Sequence, residues 1–296
     1  MSGYKRLSQV FHSSKEIPFD DTSKFVLMSD CHRGDGSWGD NFLNNQNLFF
    51  AALSFYYHDN FTYIELGDGD ELWENRKLEN IISIHSDAFW LMSKFYQKNR
   101  LYLLYGNHDM NKKSRNYICS KCSSYYDESL KKWMPLFPEI KVQEGLVLRY
   151  KDDNSKIFLT HGHQVDFLNY NLWRLARGLV RYLWRPLELL GFLDPTSAAK
   201  NNEKKGSIEK KLSNWAAKEK QMLIAGHTHR PIFPKPGTSL YFNDGSCVHP
   251  RCITAIEIEN GSISLVKWAL KTKENRSLYV GRSILEGPVP IKDYFL

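Results

Sequence analysis

Short apolar runs alternate with amphipathic stretches over the first third of the chain. Three mostly apolar runs, at residues 25–28, 61–66 and 101–105, are typical of buried strands, and each stops at a polar residue or a glycine. The stretches 41–57 and 81–96 carry apolar residues at helical spacing. This alternation of strand and helix predicts βαβ units with a parallel inner sheet.

The pattern changes after residue 110. Short strands are predicted at 141–142, 146–150, 156–160 and 222–225. Residues 239–242, 252–258 and 262–268 alternate between apolar and polar positions, so we expect them to form a second, antiparallel sheet. Residues 165–220 are predicted to be helical. The polar, aperiodic segment 1–23 is predicted to be an extended lead-in, and the tail 271–296 a second terminal extension.

Residues of the kinds that bind metal ions follow five of the predicted strands. In parallel sheets such residues meet at the carboxyl edge. A lone Asp or His after a strand is usually a cap or a turn residue, but five such segments in one chain indicate a shared metal site. All the ligands offered are nitrogen or oxygen, which suits Mn, Fe, Zn, Ni or Co. The segments are Ser29-Asp30-Cys31-His32, Gly67-Asp68, Gly106-Asn107-His108-Asp109, His161-Gly162-His163 and Gly226-His227-Thr228-His229.

The spacing within these segments also matters. Asp30 and His32 alternate along a predicted extended segment, so that both can face one ion, and the histidines at 227 and 229 repeat this arrangement. The Cys31 side chain between the first two should point away from them, into the core.

This series of motifs resembles the calcineurin-like metallophosphoesterase superfamily over residues 24–270. The resemblance implies an α/β fold, a four-layer αββα sandwich of two mixed β-sheets, interrupted at 165–220 by a helical insertion or lid. It also implies two divalent metal ions, Mn first and Fe, Zn, Ni or Co as alternatives, with Asp68 as the bridging ligand. The remaining ligands carried over by motif are Asp30, His32 and His229 for one ion, and Asn107, His161 and His227 for the other. Such sites hydrolyse phosphate esters by attack of a hydroxide shared by the two ions.

Four further residues are candidates for roles in this site. His108 resembles the family's catalytic histidine, which stabilises the transition state or protonates the leaving oxygen, and Asp109 beside it is predicted to orient that ring. His161 and His163 could each be the ligand, but the position directly after the strand favours His161 and leaves His163 as a neighbour that could touch substrate. Arg33 could reach a phosphate or be structural.

The insertion carries a row of leucines and a row of arginines. On one helix spanning 168–190, leucines occupy one face, and the opposite face holds Arg174, Arg177, Arg181 and Arg185. Three interpretations stay open. The helix could pack on the core with solvated arginines. It could be a lid whose arginines or apolar face meet a lipid-like phosphorylated substrate or a membrane surface. It could also bind nucleic acid, with the arginines tracking phosphates.

The position of this insertion, together with the run Gly226-His227-Thr228-His229-Arg230-Pro231, is similar to the UDP-2,3-diacylglucosamine diphosphatase branch of the superfamily. The chain departs from that branch at His108, where Arg is common, and at His163, where Asp is found. We therefore expect the broader activity, hydrolysis of a phosphate monoester or diphosphate, on a nucleotide- or lipid-linked substrate. The alternatives are a nuclease or phosphodiesterase, and a catalytically silent metal-binding scaffold on the same fold.

The composition indicates the chemical class of the binding partner and the cellular compartment of the protein. The formal net charge of +7 favours an anionic partner. Five cysteines do not indicate a disulfide framework, and their spacing is wrong for a zinc knuckle. The N-terminus lacks the apolar region of a secretory signal, and no run is long enough to span a membrane. We expect a cytoplasmic protein, with peripheral membrane contact as an option and no obligate protein partner.

Overall fold

The apolar strands form two β-sheets that pack face to face, and helices cover the outer face of each. The structure is a computed structural model that describes residues 2–127, 130–184 and 202–295. In chain order, its strands are β1 (Lys15–Phe19), β2 (Phe25–Met28), β3 (Thr62–Leu66), β4 (Leu101–Leu104), β5 (Ser124–Asp127), β6 (Lys132–Pro135), β7 (Val142–Gln143), β8 (Gly145–Tyr150), β9 (Lys156–Thr160), β10 (Met222–Ala225), β11 (Tyr241–Asn243), β12 (Cys252–Glu259), β13 (Ser262–Thr272) and β14 (Leu278–Pro290).

The helices occupy most of the stretches with helical periodicity. They are α1 (Gly3–Ser13), α2 (Gln46–His58), α3 (Leu78–Ile84), α4 (Ser86–Gln97), α5 (Arg115–Lys121), α6 (Phe167–Asn171), α7 (Trp173–Leu179) and α8 (Asn202–Glu219). Short 3-10 segments lie at Met110–Lys113, His163–Val165 and Ile291–Tyr294, and a π-helical turn at Val180–Trp184. Within the described ranges, no helix combines the length and the apolarity needed to cross a bilayer.

Both sheets mix parallel and antiparallel pairs. The larger has the order β14-β13-β12-β2-β3-β4-β7 and the smaller β1-β8-β9-β10-β11, while β5 and β6 form a separate hairpin. In the larger sheet β2, β3 and β4 are parallel, as predicted, and β7 joins them in parallel, while β12 runs antiparallel to β2. In the smaller sheet β9, β10 and β11 are parallel.

Three apolar layers hold the sheets and helices together. Leu27 and Ile64 of the larger sheet meet Leu148 and Ile224 of the smaller one between the sheets, and all four side chains are fully buried. Helices α2, α3 and α4 cover the outer face of the larger sheet, and α1 and α8 cover that of the smaller. The strands are therefore buried on both faces, which is why they read as continuous apolar runs. The four-layer αββα sandwich is confirmed.

The two ends of the chain differ from the prediction. The expected extended lead-in is wrong, because residues 3–13 form α1, which packs on the smaller sheet through Leu7 and Val10. The next strand, β1, pairs in parallel with β8. At the other end β14 pairs antiparallel with β13. A surface helix and an edge strand need few apolar residues, so composition alone makes such segments look like tails.

The second sheet also differs from the prediction. The alternating segments after residue 239 do form strands, but they do not form one separate antiparallel sheet. β11 pairs in parallel with β10 in the smaller sheet, whereas β12 and β13 extend the larger one. Alternation along a strand reports which residues share a face and carries no information on which strand lies alongside.

Candidate metal centre

The loops that follow β2, β3 and β4 in the larger sheet, and β9 and β10 in the smaller, meet at one edge of the sandwich. Backbone hydrogen bonds tie them together: Asp30 N donates to Gly67 O at 3.1 Å, and Gly226 N donates to His161 O at 3.1 Å. These bonds bring the motifs, which are scattered along the sequence, to the wall of a single cavity. The predicted ligands at that cavity or buried just beneath it are Asp30, His32, Asp68, Asn107, His161, His227 and His229.

Six of these residues form two groups in which all ligand atoms lie within 4.8 Å of one another. In the first group, His229 Nε2 lies 3.0 Å from Asp30 Oδ1 and 3.3 Å from His32 Nε2. Two ligands that each lie about 2.1 Å from one ion are about 3.0–3.4 Å from each other, so this spacing suits a shared cation. The groups are Asp30, His32 and His229, and Asp68, His161 and His227.

Asp68 belongs to the second group and also lies near the first. Its Oδ2 is 3.0 Å from His161 Nε2 and 4.0 Å from His32 Nε2. Its Oδ1 accepts a hydrogen bond from the backbone N–H of His108 at 2.8 Å. One carboxylate thus faces ligands of both groups, which is the position that a bridging ligand requires.

Several of the ligand atoms are buried and form no hydrogen bond in the described part of the chain; two of them, Asp30 Oδ1 and His161 Nε2, have another ligand atom 3.0 Å away. A buried polar atom left in this way costs about 1–3 kcal/mol. The complementary atoms are bonded to protein: His161 Nδ1–H donates to Leu66 O at 2.9 Å, and Asp30 Oδ2 accepts from His227 N–H at 2.9 Å. The remaining ligand atoms therefore face one another across the site, as metal ligands do. The atoms concerned are Asp30 Oδ1, Asn107 Oδ1, His161 Nε2 and His227 Nε2.

The electrostatics of the cavity also favour cations. Burial lowers the pKa of His161, but the carboxylates of Asp68 and Asp30 outweigh it and raise that pKa to about 9. The pKa of Asp68 is held well below its usual range, because the surrounding histidines outweigh the effect of burial. Ionised carboxylates that draw protons onto neighbouring histidines would bind divalent ions in the same place. The residues present fit a pair of such ions.

Five of the ligand residues adopt a left-handed backbone conformation that non-glycine residues rarely adopt. The prediction that the paired ligands lie on extended segments is therefore wrong, although both members of each pair do face the cavity. Sharp turns, repeated on alternate residues, aim the side chains inward. The φ values are +52° at Asp30, +47° at His32, +49° at Asp68, +70° at His227 and +54° at His229.

Gly226 is a position where the backbone passes close to a ligand. A Cβ there would lie 2.2 Å from Ser29 Oγ and 2.6 Å from Asp30 Oδ2. Ser29 Oγ in turn lies within hydrogen-bond distance of Asp30 Oδ2 and 2.7 Å from Asp244 Oδ1. Burial and the neighbouring Asp30 raise the pKa of Asp244 well above its usual range. Asp244 directly follows β11 and was not among the predicted site residues.

Two residues that were not among the predicted site residues hold His108 at the cavity wall. Glu71 accepts a hydrogen bond from His108 Nδ1–H at 2.8 Å and one from His32 Nδ1–H at 2.8 Å. The Trp73 ring stacks on His108 at 4.2 Å between centroids, and its Nε1–H donates to Asn107 O at 2.6 Å. Glu71 lies three residues after Asp68, and this spacing was the available signal.

Asp109 does not contact His108. Its Oδ1 accepts from Gly106 N–H at 2.7 Å, and its Oδ2 accepts from Lys112 Nζ at 2.8 Å. The prediction that Asp109 orients His108 is wrong, because the side chain turns under the loop and the orienting position is taken by Glu71. Asp109 instead holds the loop that carries Asn107 and His108.

Arg33 is also below the cavity. It is 1% exposed and forms ion pairs with Glu65 at 2.8 Å and Asp70 at 2.7 Å. Lys112 Nζ lies 2.7 Å from the other oxygen of Asp70, so that one buried network joins the loops after β2, β3 and β4. The predicted phosphate contact of Arg33 is therefore wrong, and the alternative structural role fits its position.

His163 is fully buried behind His161. Its ring stacks on Tyr170 at 5.5 Å between centroids, and neither ring nitrogen has a hydrogen-bond partner in the described residues. Burial, reinforced by His161 and His227, holds the pKa of His163 well below its ordinary value. The ring is a neutral neighbour of the ligands and does not line the cavity.

The insertion faces the cavity with its leucines. The cavity has a volume of about 690 Å³, and one wall consists of residues from α6 and α7. Four leucines on this wall expose 40–59% of their surface, so the interpretation in which this face packs on the core is wrong. They form what we call the leucine wall: Leu168, Leu172, Leu175 and Leu179.

The arginine row points away from the cavity. Arg177 donates to Asn111 Oδ1 at 3.1 Å, and Arg181 donates to the backbone oxygens of Leu72 and Trp73 at 2.7 and 2.9 Å. Arg174 lies over the ring of Trp173. The predicted substrate contacts of these three arginines are not found, because two of them dock the insertion on the body. Arg185 lies outside the described residues. Up to residue 184, the predicted single helix is replaced by α6, α7 and a π-helical turn.

Comparison with known proteins gives one family match. A family model described as calcineurin-like phosphoesterase matches residues 23–231. A search of the curated proteins gives no match. Among solved structures, Vps29 of Chaetomium thermophilum is similar with 12% sequence identity and a TM-score of 0.41, over 90% of this chain and 96% of that one. A likeness at that score carries no argument about activity.

Proposed function

The chain belongs to the calcineurin-like phosphoesterase family, and we propose that it is a dinuclear metal-dependent hydrolase of phosphate monoesters or diphosphates. Two divalent ions would be held by the two ligand groups, with Asn107 Oδ1 completing the second group and Asp68 shared between them. The nitrogen and oxygen donors suit Mn, Fe, Zn, Ni or Co. When bound, such a pair of ions acidifies water and neutralises charge on the phosphoryl oxygens.

The chain's own residues would supply positioning and a proton. Because Glu71 accepts the Nδ1–H of His108, the Nε2 of that ring is left for the leaving oxygen. Burial lowers the pKa of His108, but the nearby Glu71 and Asp68 outweigh that effect and raise the pKa, which favours the charged form that can donate a proton. Acid catalysis of this kind contributes about 10²–10⁴-fold. Trp73 keeps the ring in place by stacking.

One observation carries the proposal. Buried ligand atoms without partners come from the loops after β2, β4, β9 and β10, and they converge with Asp68 after β3. A structural role would have satisfied these atoms with protein hydrogen bonds. Their shared lack of partners is what a site that binds ions through those atoms requires.

The leucine wall supports a narrower proposal about the substrate. An apolar surface beside a charged site suits a phosphorylated amphiphile, whose phosphate would lie at the ions and whose hydrocarbon part would cover the leucines. Such a substrate could be free or lipid-linked. The arginine row is engaged with the body, so nothing in the described residues favours a nucleic acid along that face.

The metal assignment is tested by Asp68→Asn and Asn107→Ala, with the exposed Asp59→Asn as a control. We expect both site variants to lose bound metal, measured by elemental analysis of purified protein, together with turnover of p-nitrophenyl phosphate. Asp59→Asn should keep both. Full metal occupancy in both site variants would refute the ligand assignment. Full occupancy of the unaltered protein without turnover of any phosphate ester or diphosphate would favour a silent scaffold.

The substrate proposal is tested by Leu172→Gln with Leu175→Gln, compared with Leu278→Gln on the exposed part of β14. Full burial of one leucine side chain contributes about 1.5–3 kcal/mol of free energy. If a hydrocarbon chain partly buries two leucines, their replacement should raise the KM for dodecyl phosphate roughly tenfold or more. The KM for p-nitrophenyl phosphate should change little. Equal changes for both substrates would refute a hydrocarbon contact with the leucine wall.

A further inference from the structure

A group of basic residues forms another part of the cavity lining. It comprises Lys205 on α8, Arg230 directly after the last ligand, and His249 in the turn before β12. We call this set the basic corner. All three residues line the same cavity as the ligand groups and the leucine wall, yet none of them belongs to either.

Other residues hold the Arg230 side chain and the backbone at His249 in place. Glu209 accepts from Arg230 Nε–H at 3.0 Å and from Thr228 Oγ–H at 3.0 Å, which anchors Arg230 beside the ligand loop. Lys205 lies one helical turn before Glu209, so both project from the same face of α8. Asn45 Nδ2–H donates to His249 O at 2.7 Å and holds that turn in place.

The basic corner carries more positive charge than its surroundings neutralise. Lys204 beside it is paired with Asp166 at 3.2 Å, and Arg230 is paired with Glu209. Lys205, in contrast, has no carboxylate partner among the described residues. Partial burial and the nearby Arg230 lower the pKa of Lys205, so the ammonium group lies near a second cationic side chain on the wall of the same cavity.

His249 supplies an independent observation. Its Nε2 is buried and has no hydrogen-bond partner in the described part of the structure. The ring lines the same cavity as Lys205 and Arg230. A ring nitrogen without a hydrogen-bond partner, on the same cavity wall as an ammonium group without a carboxylate partner among the described residues, is an arrangement that anionic oxygens complete when the nitrogen carries its proton.

From this geometry we infer that the basic corner binds a second anionic phosphoryl group of the substrate, next to the one that reacts at the ligand groups. The substrate would then be a diphosphate, or an ester with a second phosphate close by, in preference to a simple monoester. This inference rests on the proposed function, because it takes the ligand groups as the reacting end. It adds a specificity determinant on α8, outside the metal-binding loops.

The test compares inorganic pyrophosphate with inorganic phosphate as inhibitors of p-nitrophenyl phosphate turnover by the metal-loaded protein. In Lys205→Met, the ratio of the inhibition constant for pyrophosphate to that for phosphate should rise about tenfold or more, as expected for one charged hydrogen bond. Lys205→Arg keeps the charge and should restore most of the ratio. Lys210→Met, on the exposed side of the same helix, should leave the ratio and the turnover unchanged.

An unchanged ratio in Lys205→Met would overturn the inference, as would an equal loss of phosphate and pyrophosphate binding. Chelation of metal by pyrophosphate affects all variants alike and cancels in the comparison. If the protein had no turnover at all, calorimetric binding of the two anions to the metal-loaded protein would still give the same ratio. Failure of the basic corner and failure of the proposed hydrolase activity are therefore distinguishable.

Discussion

Glu71 is the residue whose replacement most directly tests how the site works. Its carboxylate joins His32, a predicted ligand, to His108, the predicted acid, through two hydrogen bonds of 2.8 Å each. Burial raises the pKa of Glu71, but the two histidines outweigh it and lower the value to about 2, so the group is ionised at neutral pH. Glu71→Gln keeps the shape and removes the charge that favours protonated His108.

The size of the effect follows from those contacts. A hydrogen bond to a charged group contributes about 1.5–3 kcal/mol, which corresponds to a factor of roughly 10–150 in rate. If His108 protonates the leaving oxygen, this factor applies to esters with poor leaving groups, such as an alkyl phosphate. The leaving group of p-nitrophenyl phosphate needs little protonation, so the rate for this ester should fall much less. Loss of the second hydrogen bond, from His32 to Glu71, should weaken metal binding about 10–100-fold, which is the usual effect of removing a residue that orients a metal ligand.

The assay is kcat for the two esters at saturating metal, with metal binding measured separately. The matched control is Asp109→Asn, since Asp109 was the partner of His108 predicted from sequence and is bonded instead to Lys112 and Gly106. We expect its loss to be equal for both esters. The reasoning would be refuted if Glu71→Gln slowed both esters equally, or if Asp109→Asn showed the dependence on leaving group.

Two further predictions concern stability. Lys112→Met leaves the buried carboxylates of Asp70 and Asp109 without their shared cation. We expect the free energy of unfolding, measured by urea titration, to fall by about 3–5 kcal/mol. A fall of less than about 1 kcal/mol would contradict this prediction. Burial raises the pKa of Asp40, but the bond from His85 at 2.8 Å outweighs it and the pKa is lowered from 3.8. The stability that this pair contributes is present above pH 3.8 and is lost as the pH falls through the lowered pKa of Asp40. We therefore expect His85→Gln to be less stable than the unaltered protein at neutral pH, and the difference in the free energy of unfolding to shrink in acid. A constant difference across pH, in the same urea titrations, would argue against this.

The positions of the metal-binding candidates were readable from the sequence because the signals are local. Asp30, Asp68 and Asn107 each follow an apolar run, and a parallel sheet brings such strand ends to one edge. The four-layer sandwich came from the resemblance that these motifs carry. The sequence also showed that ligands occur in pairs at alternate positions. It could not show the left-handed backbone conformation that aims them, because that conformation depends on contacts between loops, such as the contact of Gly226 with Ser29.

Tertiary structure decided the choices that depend on what lies opposite a residue. Adjacency in sequence favoured Asp109 as the partner of His108, but packing turned Asp109 onto Lys112 and brought Glu71 to the ring from a different loop. From the sequence, the leucines of the insertion could pack on the core or face a substrate. They line the cavity, because Arg177 and Arg181 bind the body through hydrogen bonds. Periodicity shows that a helix has two faces, while the surface that each face meets is set by segments far away in the chain.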